Sequence, residues 1–71
     1  MSILVKMRLK RLGLKLSHEE RKELDRLLIE KTGEKDCDEA VKKVSDEQFI
    51  KLVNEAIQRV KSKKPIYIQA T

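Results

Sequence analysis

The sequence predicts an α+β fold, a small helix-rich single domain over residues 1–71 with the element order β-α-α-α-β. Three observations predict it: helical spacing of apolar residues over 45–62, period-two alternation over 3–10, and a β-branched and aromatic segment after Pro65. The two terminal strands are expected to pair, within the chain or across a dimer, against the long C-terminal amphipathic helix.

The N-terminal segment alternates between apolar and basic positions. Its apolar positions are Ile3, Val5, Met7 and Leu9, and its basic positions are Lys6, Arg8 and Lys10. Period two with one apolar and one basic face predicts a half-buried strand over about residues 3–10. A slip in phase near Gly13 suggests a β-bulge, after which the strand could extend to residue 16.

A helix is the competing interpretation of the same segment. The positions that fit helical spacing are Val5, Leu9, Leu12 and Leu16. Leucine and methionine also favour helices intrinsically, so strand and helix both remain open for residues 3–16.

Two helices are predicted in the middle of the chain. Ser17 and Glu20 form a capping box before a helix over about residues 18–31, and Gly33 stands where that helix would end. A short helix follows over about residues 38–44, with Asp36 or Asp38 as its N-cap.

The strongest helix is predicted over about residues 46–62. Ser45 and Gln48 complete a second capping box, and Pro65 prevents continuation into the predicted strand over about 66–70. A single apolar stripe runs along this helix and is the candidate core and oligomer interface: Phe49, Leu52, Val53, Ala56, Ile57 and Val60. Because a domain of this size has a modest core, a homodimer is expected.

The net charge of +5 is distributed unevenly along the chain. Residues 1–16 carry +5 with no acid, residues 17–48 carry −4, and residues 49–71 carry +4. Basic ends of this kind favour an anionic partner, so the predicted function is a small nucleic-acid-binding module that contacts the phosphate backbone, with a regulatory role as one option. The candidate nucleic-acid-binding residues are Lys6, Arg8, Lys10, Arg11, Lys15, Lys61, Lys63 and Lys64.

The sequence favours DNA over RNA, because Tyr67 is the single candidate for stacking on unpaired RNA bases. The alternative function is a protein–protein assembly module without a nucleic-acid role, acting by strand addition and through the apolar stripe. The basic strand could also be only a solvated edge that prevents aggregation.

No catalytic, metal or cofactor site is predicted. His18 is the single histidine and Cys37 the single cysteine, which excludes the usual zinc spacings and an intrachain disulfide. The acids on both sides of Cys37, Asp36 and Asp38, disfavour its thiolate. The residue pattern therefore indicates no enzyme and no small-molecule substrate.

Composition also suggests where the protein works. The lack of disulfide chemistry favours the cytoplasm, and no apolar stretch approaches the ~20 residues of a membrane span. A charged content of 41% is typical of a heat-adapted protein.

A basic strand followed by two helices resembles the ribbon-helix-helix repressors. The residues that carry the resemblance are Val5–Leu9, the helix over Ser17–Gly33, and SDEQFIKLVNEAI at Ser45–Ile57. It implies a dimer whose paired strands enter the major groove of DNA. The chain departs from that family where a predicted helix replaces a short turn and where a C-terminal strand is added.

Overall fold

The computed structural model describes residues 3–63 and contains four helices in that range. They are α1 (Ile3–Arg11), α2 (His18–Thr32), α3 (Cys37–Lys42) and α4 (Asp46–Lys63). No strand occurs between residues 3 and 63, so the predicted α+β fold is wrong and this part of the chain is all-helical. The strand predicted over 66–70 lies outside the described residues.

The N-terminal segment is a helix because its burial follows helical spacing. Val5 and Leu9, one turn apart, are buried, whereas Ile3 and Met7 of the supposed apolar strand face are 69% and 61% exposed. The resemblance to ribbon-helix-helix repressors required a strand at Val5–Leu9, so it does not hold. Strand addition by residues 3–10 is excluded for the same reason.

Gly13 ends α1 and does not mark a β-bulge. Its φ is +72°, its N–H donates to Lys10 O at 3.1 Å, and the N–H of Leu14 donates to Leu9 O at 2.8 Å. This pair of bonds is the Schellman arrangement, in which a left-handed glycine satisfies the last helical carbonyls. The apolar residues around it pack against the core from an irregular segment: Leu12, Leu14 and Leu16.

Both predicted capping boxes are confirmed. At α2, Ser17 Oγ accepts the N–H of Glu20 at 3.2 Å, and Glu20 Oε1 accepts the N–H of Ser17 at 2.8 Å. Ser45 and Gln48 make the same reciprocal pair at α4, at 3.2 and 3.3 Å. Gly33 follows α2 with a φ of +75° and donates its N–H to Ile29 O.

The short third helix begins one residue earlier than expected. Asp36 accepts the N–H of Asp38 at 3.3 Å, so the N-cap is Asp36 and not Asp38. The α3 helix buries Ala40 and Val41 and packs against α1 and α2.

The α2 and α4 helices form the main packing pair and run antiparallel, since Glu23 meets Arg59 and Lys31 faces the same groove as Lys51. Most of the predicted α4 stripe lies in the core. Phe49, Leu52, Val53, Ala56 and Val60 are buried, and Ile57 is half-buried at the edge. Apart from the edge at Ile57, the stripe is therefore covered by this chain's own helices.

Candidate anion-binding surface

The cations of α1 divide into two groups. Arg8 and Arg11 bind inward to the start of α4, whereas Lys6 and Lys10 project into solvent. Both groups were predicted as nucleic-acid contacts from sequence. The helix therefore separates residues that the strand interpretation had placed together.

Arg8 is an anchor between α1 and the α3–α4 junction. Its Nη1 donates to Val44 O at 2.6 Å, its Nε lies 3.7 Å from Asp46 Oδ1, and its guanidinium carbon lies 5.4 Å from the centre of the Phe49 ring. These contacts use the planar guanidinium as hydrogen-bond donor, ion-pair partner and cation over an aromatic face. Arg8 therefore stabilises the packing of α1 against the α3–α4 junction.

Arg11 forms a forked pair with Asp46. Its Nη1 and Nη2 donate to the two carboxylate oxygens at 3.0 and 2.7 Å. The hydrogen bonds from Arg11 hold the pKa of Asp46 below its usual range, and the same pair raises the pKa of Arg11. One carboxylate thus serves both arginines of α1.

The remaining N-terminal cations line one groove, which we call the lysine groove. It has a volume of about 430 Å³ and lies between α1, the segment after it and the first turns of α2. Its cations are Lys6, Lys10, Lys15 and Arg21, and its apolar lining includes Leu9 and Leu14. No acidic residue lines it among residues 3–63.

The three lysines of this groove make no ion pair within the described part of the chain, whereas Arg21 is engaged with its surroundings on α2. The position of Lys6 and Lys10 four residues apart places them about 6 Å apart along the helix axis. Three unpaired ammonium groups on one concave surface make the lysine groove a candidate site for an anion.

The C-terminal cations are only partly placed. Lys61 is exposed on the last turn of α4. The side chain of Lys63 and the whole of Lys64 lie outside the described residues, as does Tyr67, so the predicted union of the two basic ends stays a prediction.

Two further grooves carry cations that sequence reasoning missed. The α1–α3 groove, of about 300 Å³, combines Leu4, Met7 and Val41 with Lys42. The α2–α4 groove, of about 370 Å³, brings Lys31, Lys43 and Lys51 together. No local sequence pattern predicts the residues that line these two grooves, because the packing of separate helices brings them together.

A network of ion pairs ties α2 to α4 on another part of the surface. Glu23 is nearly buried and lies 3.3 Å from Arg59 and 3.7 Å from Arg26. Arg59 also approaches Glu55 at 3.1 Å and Glu30 at 3.8 Å. These carboxylates are compensated, so this region presents no free acidic site.

Cys37 and Asp25 meet between α2 and α3. The Cys37 Sγ donates to Asp25 O at 3.8 Å, and burial, followed by the charges of Asp25 and Asp36, raises the pKa of the thiol. The expected suppression of the thiolate is confirmed, although burial is its main cause. Burial likewise raises the pKa of Asp25, whose Oδ1 has no hydrogen-bond partner among residues 3–63.

Clusters of metal-ligating side chains and membrane-spanning helices are both absent from the described range. Within residues 3–63, histidine, cysteine and acidic side chains do not form a group of three that could hold a metal ion. None of the helices described there has the length and apolar character needed to cross a lipid bilayer.

Comparison with known proteins gives no relative for this chain: no family model, no curated protein and no solved structure matches it.

Proposed function

We propose that this protein is a small nucleic-acid-binding module that contacts the phosphate backbone, of duplex DNA more than of RNA, through the lysine groove. The observation that supports the proposal is the convergence of Lys6, Lys10 and Lys15 on one concave surface without an acid or an ion-pair partner in the described residues. Arg8 and Arg11 are not among the proposed phosphate contacts, because Asp46 already binds both.

The mechanism is neutralisation of phosphates by ammonium groups. Each phosphate neutralised on duplex DNA releases condensed counterions, so the logarithm of affinity falls with the logarithm of salt at a slope of about −0.9 per contact. Three lysines therefore give a slope of about −2.7. Lysine acts as a point charge without base-reading geometry, so the binding is expected to show little sequence preference.

The test is a fluorescence-anisotropy titration of a labelled duplex of mixed sequence at several NaCl concentrations. The Lys6→Gln/Lys10→Gln variant should reduce the slope by about 1.8, because two phosphate contacts are lost. Its matched control is Lys22→Gln/Lys35→Gln, which has the same net charge but changes exposed lysines outside the three grooves. Equal losses in both variants, or no wild-type binding at low salt, would contradict the proposal.

A second candidate function is protein–protein association through the outer side of α1. The specific observation is the exposure of Ile3 and Met7, which lie one turn apart; Met7 also lines the α1–α3 groove with Leu4. This surface replaces strand addition as the route to the expected homodimer. Sedimentation equilibrium tests it: a dimer that becomes a monomer in Ile3→Ser/Met7→Ser supports association, and a monomeric wild type excludes it for self-association.

A further inference from the structure

We propose that the α2–α4 groove is a binding site for a small phosphate monoester that carries an apolar body. The proposal is independent of the nucleic-acid function, because none of the lysines of this groove belongs to the lysine groove. Lys31 of α2 and Lys51 of α4 line the same groove because the two helices run antiparallel.

Two of the lysines that line this groove are unpaired, and they come from different helices. Lys31 lies in the last turn of α2 and Lys51 in the second turn of α4, and neither makes an ion pair within residues 3–63. Like charges that face one groove repel each other, so an anion between them relieves the repulsion and gains attraction from both. Two ammonium groups match a divalent anion better than a monovalent one.

The third lysine of the groove, Lys43, is already ion-paired and is therefore not counted as a phosphate ligand. Lys43 also lines the groove, but it is ion-paired with Glu34, and this pair raises the pKa of Lys43. Gln48 stands beside it with its Oε1 occupied by the N–H of Ser45, so its Nε2 group is the donor that remains for a phosphate oxygen.

The floor of the groove is apolar. Val44 and Leu52 line it, and each keeps 8% of its surface exposed although both belong to the core. An apolar floor beside a cationic rim suits a ligand with one charged end and one apolar end. A volume of about 370 Å³ lies within the range of small-molecule sites, roughly 300–1,000 Å³.

The experiment is a ¹H–¹⁵N NMR titration of the full chain with phenyl phosphate, inorganic phosphate and phenol as three separate probes. Phenyl phosphate should bind at least tenfold more tightly than either of the others, with shift changes that cluster at residues 31–32, 43–44, 48 and 51–52. Equal affinities for phenyl phosphate and inorganic phosphate would overturn the apolar part of the site. Shift changes spread over the whole surface would overturn the site itself.

Charge-matched variants locate the site. Lys31→Gln/Lys51→Gln should weaken phenyl phosphate binding at least tenfold, whereas Lys22→Gln/Lys35→Gln should leave it within twofold of wild type. All four lysines are exposed, and ¹H–¹⁵N spectra of the free variants show whether each is folded. An equal loss in the two variants would overturn the proposal.

The Lys6→Gln/Lys10→Gln variant separates this site from the proposed nucleic-acid surface. It should bind phenyl phosphate as wild type does while it loses duplex affinity. If it loses phenyl phosphate instead, the anion binds in the lysine groove and the α2–α4 site is refuted.

Discussion

The guanidinium of Arg59 lies 3.3 Å from the carboxylate of Glu23, and this contact joins a nearly buried acid on α2 to the C-terminal half of α4. The two partners are not equivalent. Glu23 is 6% exposed at its side chain and Arg59 is 38% exposed, so the acid depends on the base more than the base depends on the acid.

Removal of Arg59 should therefore cost more than neutralisation of Glu23. Arg59→Met leaves a charged carboxylate almost buried beside Arg26, and we expect a loss of roughly 2 kcal/mol in the free energy of unfolding, below the ~3–5 kcal/mol of a fully buried pair. Glu23→Gln keeps a hydrogen-bonding amide, so about 1 kcal/mol is expected. Urea unfolding measures both, and an equal cost would contradict this asymmetry.

Acid should weaken the fold through Asp46. Because its pKa is lowered in the folded protein by the hydrogen bonds from Arg11, its contribution is complete above the unfolded value near 3.8 and disappears as pH falls through the folded value. Asp46→Asn should lower the Tm at pH 7 and flatten the fall of Tm in acid. In thermal melts from pH 7 to pH 2, the Tm values of the wild type and of Asp46→Asn should converge at the acid end.

The control for this acid effect is Glu47→Gln, which changes the exposed acid next in the chain. Its melting profile should run parallel to that of the wild type. Parallel profiles for Asp46→Asn as well would show that the pair with Arg11 does not support the fold.

Asp25 should behave in the opposite sense. Burial raises its folded pKa above the ordinary value of 3.8, so ionisation at neutral pH opposes folding, and stability falls as pH rises through the window above 3.8. Asp25→Asn has a similar shape and no charge, so we expect it to raise the Tm at pH 7. The gain should shrink as the pH is lowered toward 4, and a lower Tm at pH 7 would contradict the expectation.

Phe49 should be indispensable for folding. Its side chain is fully buried, and Arg8 lies over its ring. Phe49→Ala is expected to cost ~3–5 kcal/mol, which equals the whole stability that a core of this size usually supplies. Far-UV circular dichroism at 25 °C should show a largely unfolded chain, and a cooperative melt above 50 °C would contradict this.

Local signals predicted the helix ends well where capping residues were present. Ser17 with Glu20 and Ser45 with Gln48 act through bonds three residues apart, so their effect is visible in the sequence. For α1 the strand was preferred and the helix stood as the competing interpretation, because nine residues are too few to separate period two from period 3.6. Gly13 after Lys10 and Arg11 was the useful sign, since glycine after a basic last turn commonly ends a helix.

The candidate sites depend on contacts between distant parts of the chain, and sequence reasoning could not place them. Lys31 and Lys51 line one groove only because α2 and α4 are antiparallel. Arg8 is excluded as a nucleic-acid contact because it reaches Asp46 and Val44, which lie far from it in the sequence. The exposed lysines at positions 6, 10 and 15 were identified from charge alone, because their acid-free neighbourhood is already present in the linear sequence.

The contacts of Asp46 limit which cations of α1 are open to a ligand. Its carboxylate occupies the donors of Arg11 and approaches Arg8, where the oxygens of an external phosphate would otherwise bind. The chain thus carries its own counter-ion, and an anion that bound the two arginines would have to displace the carboxylate of Asp46 from them. The unpaired lysines are therefore the cations that an anion can engage without breaking an ion pair of the fold.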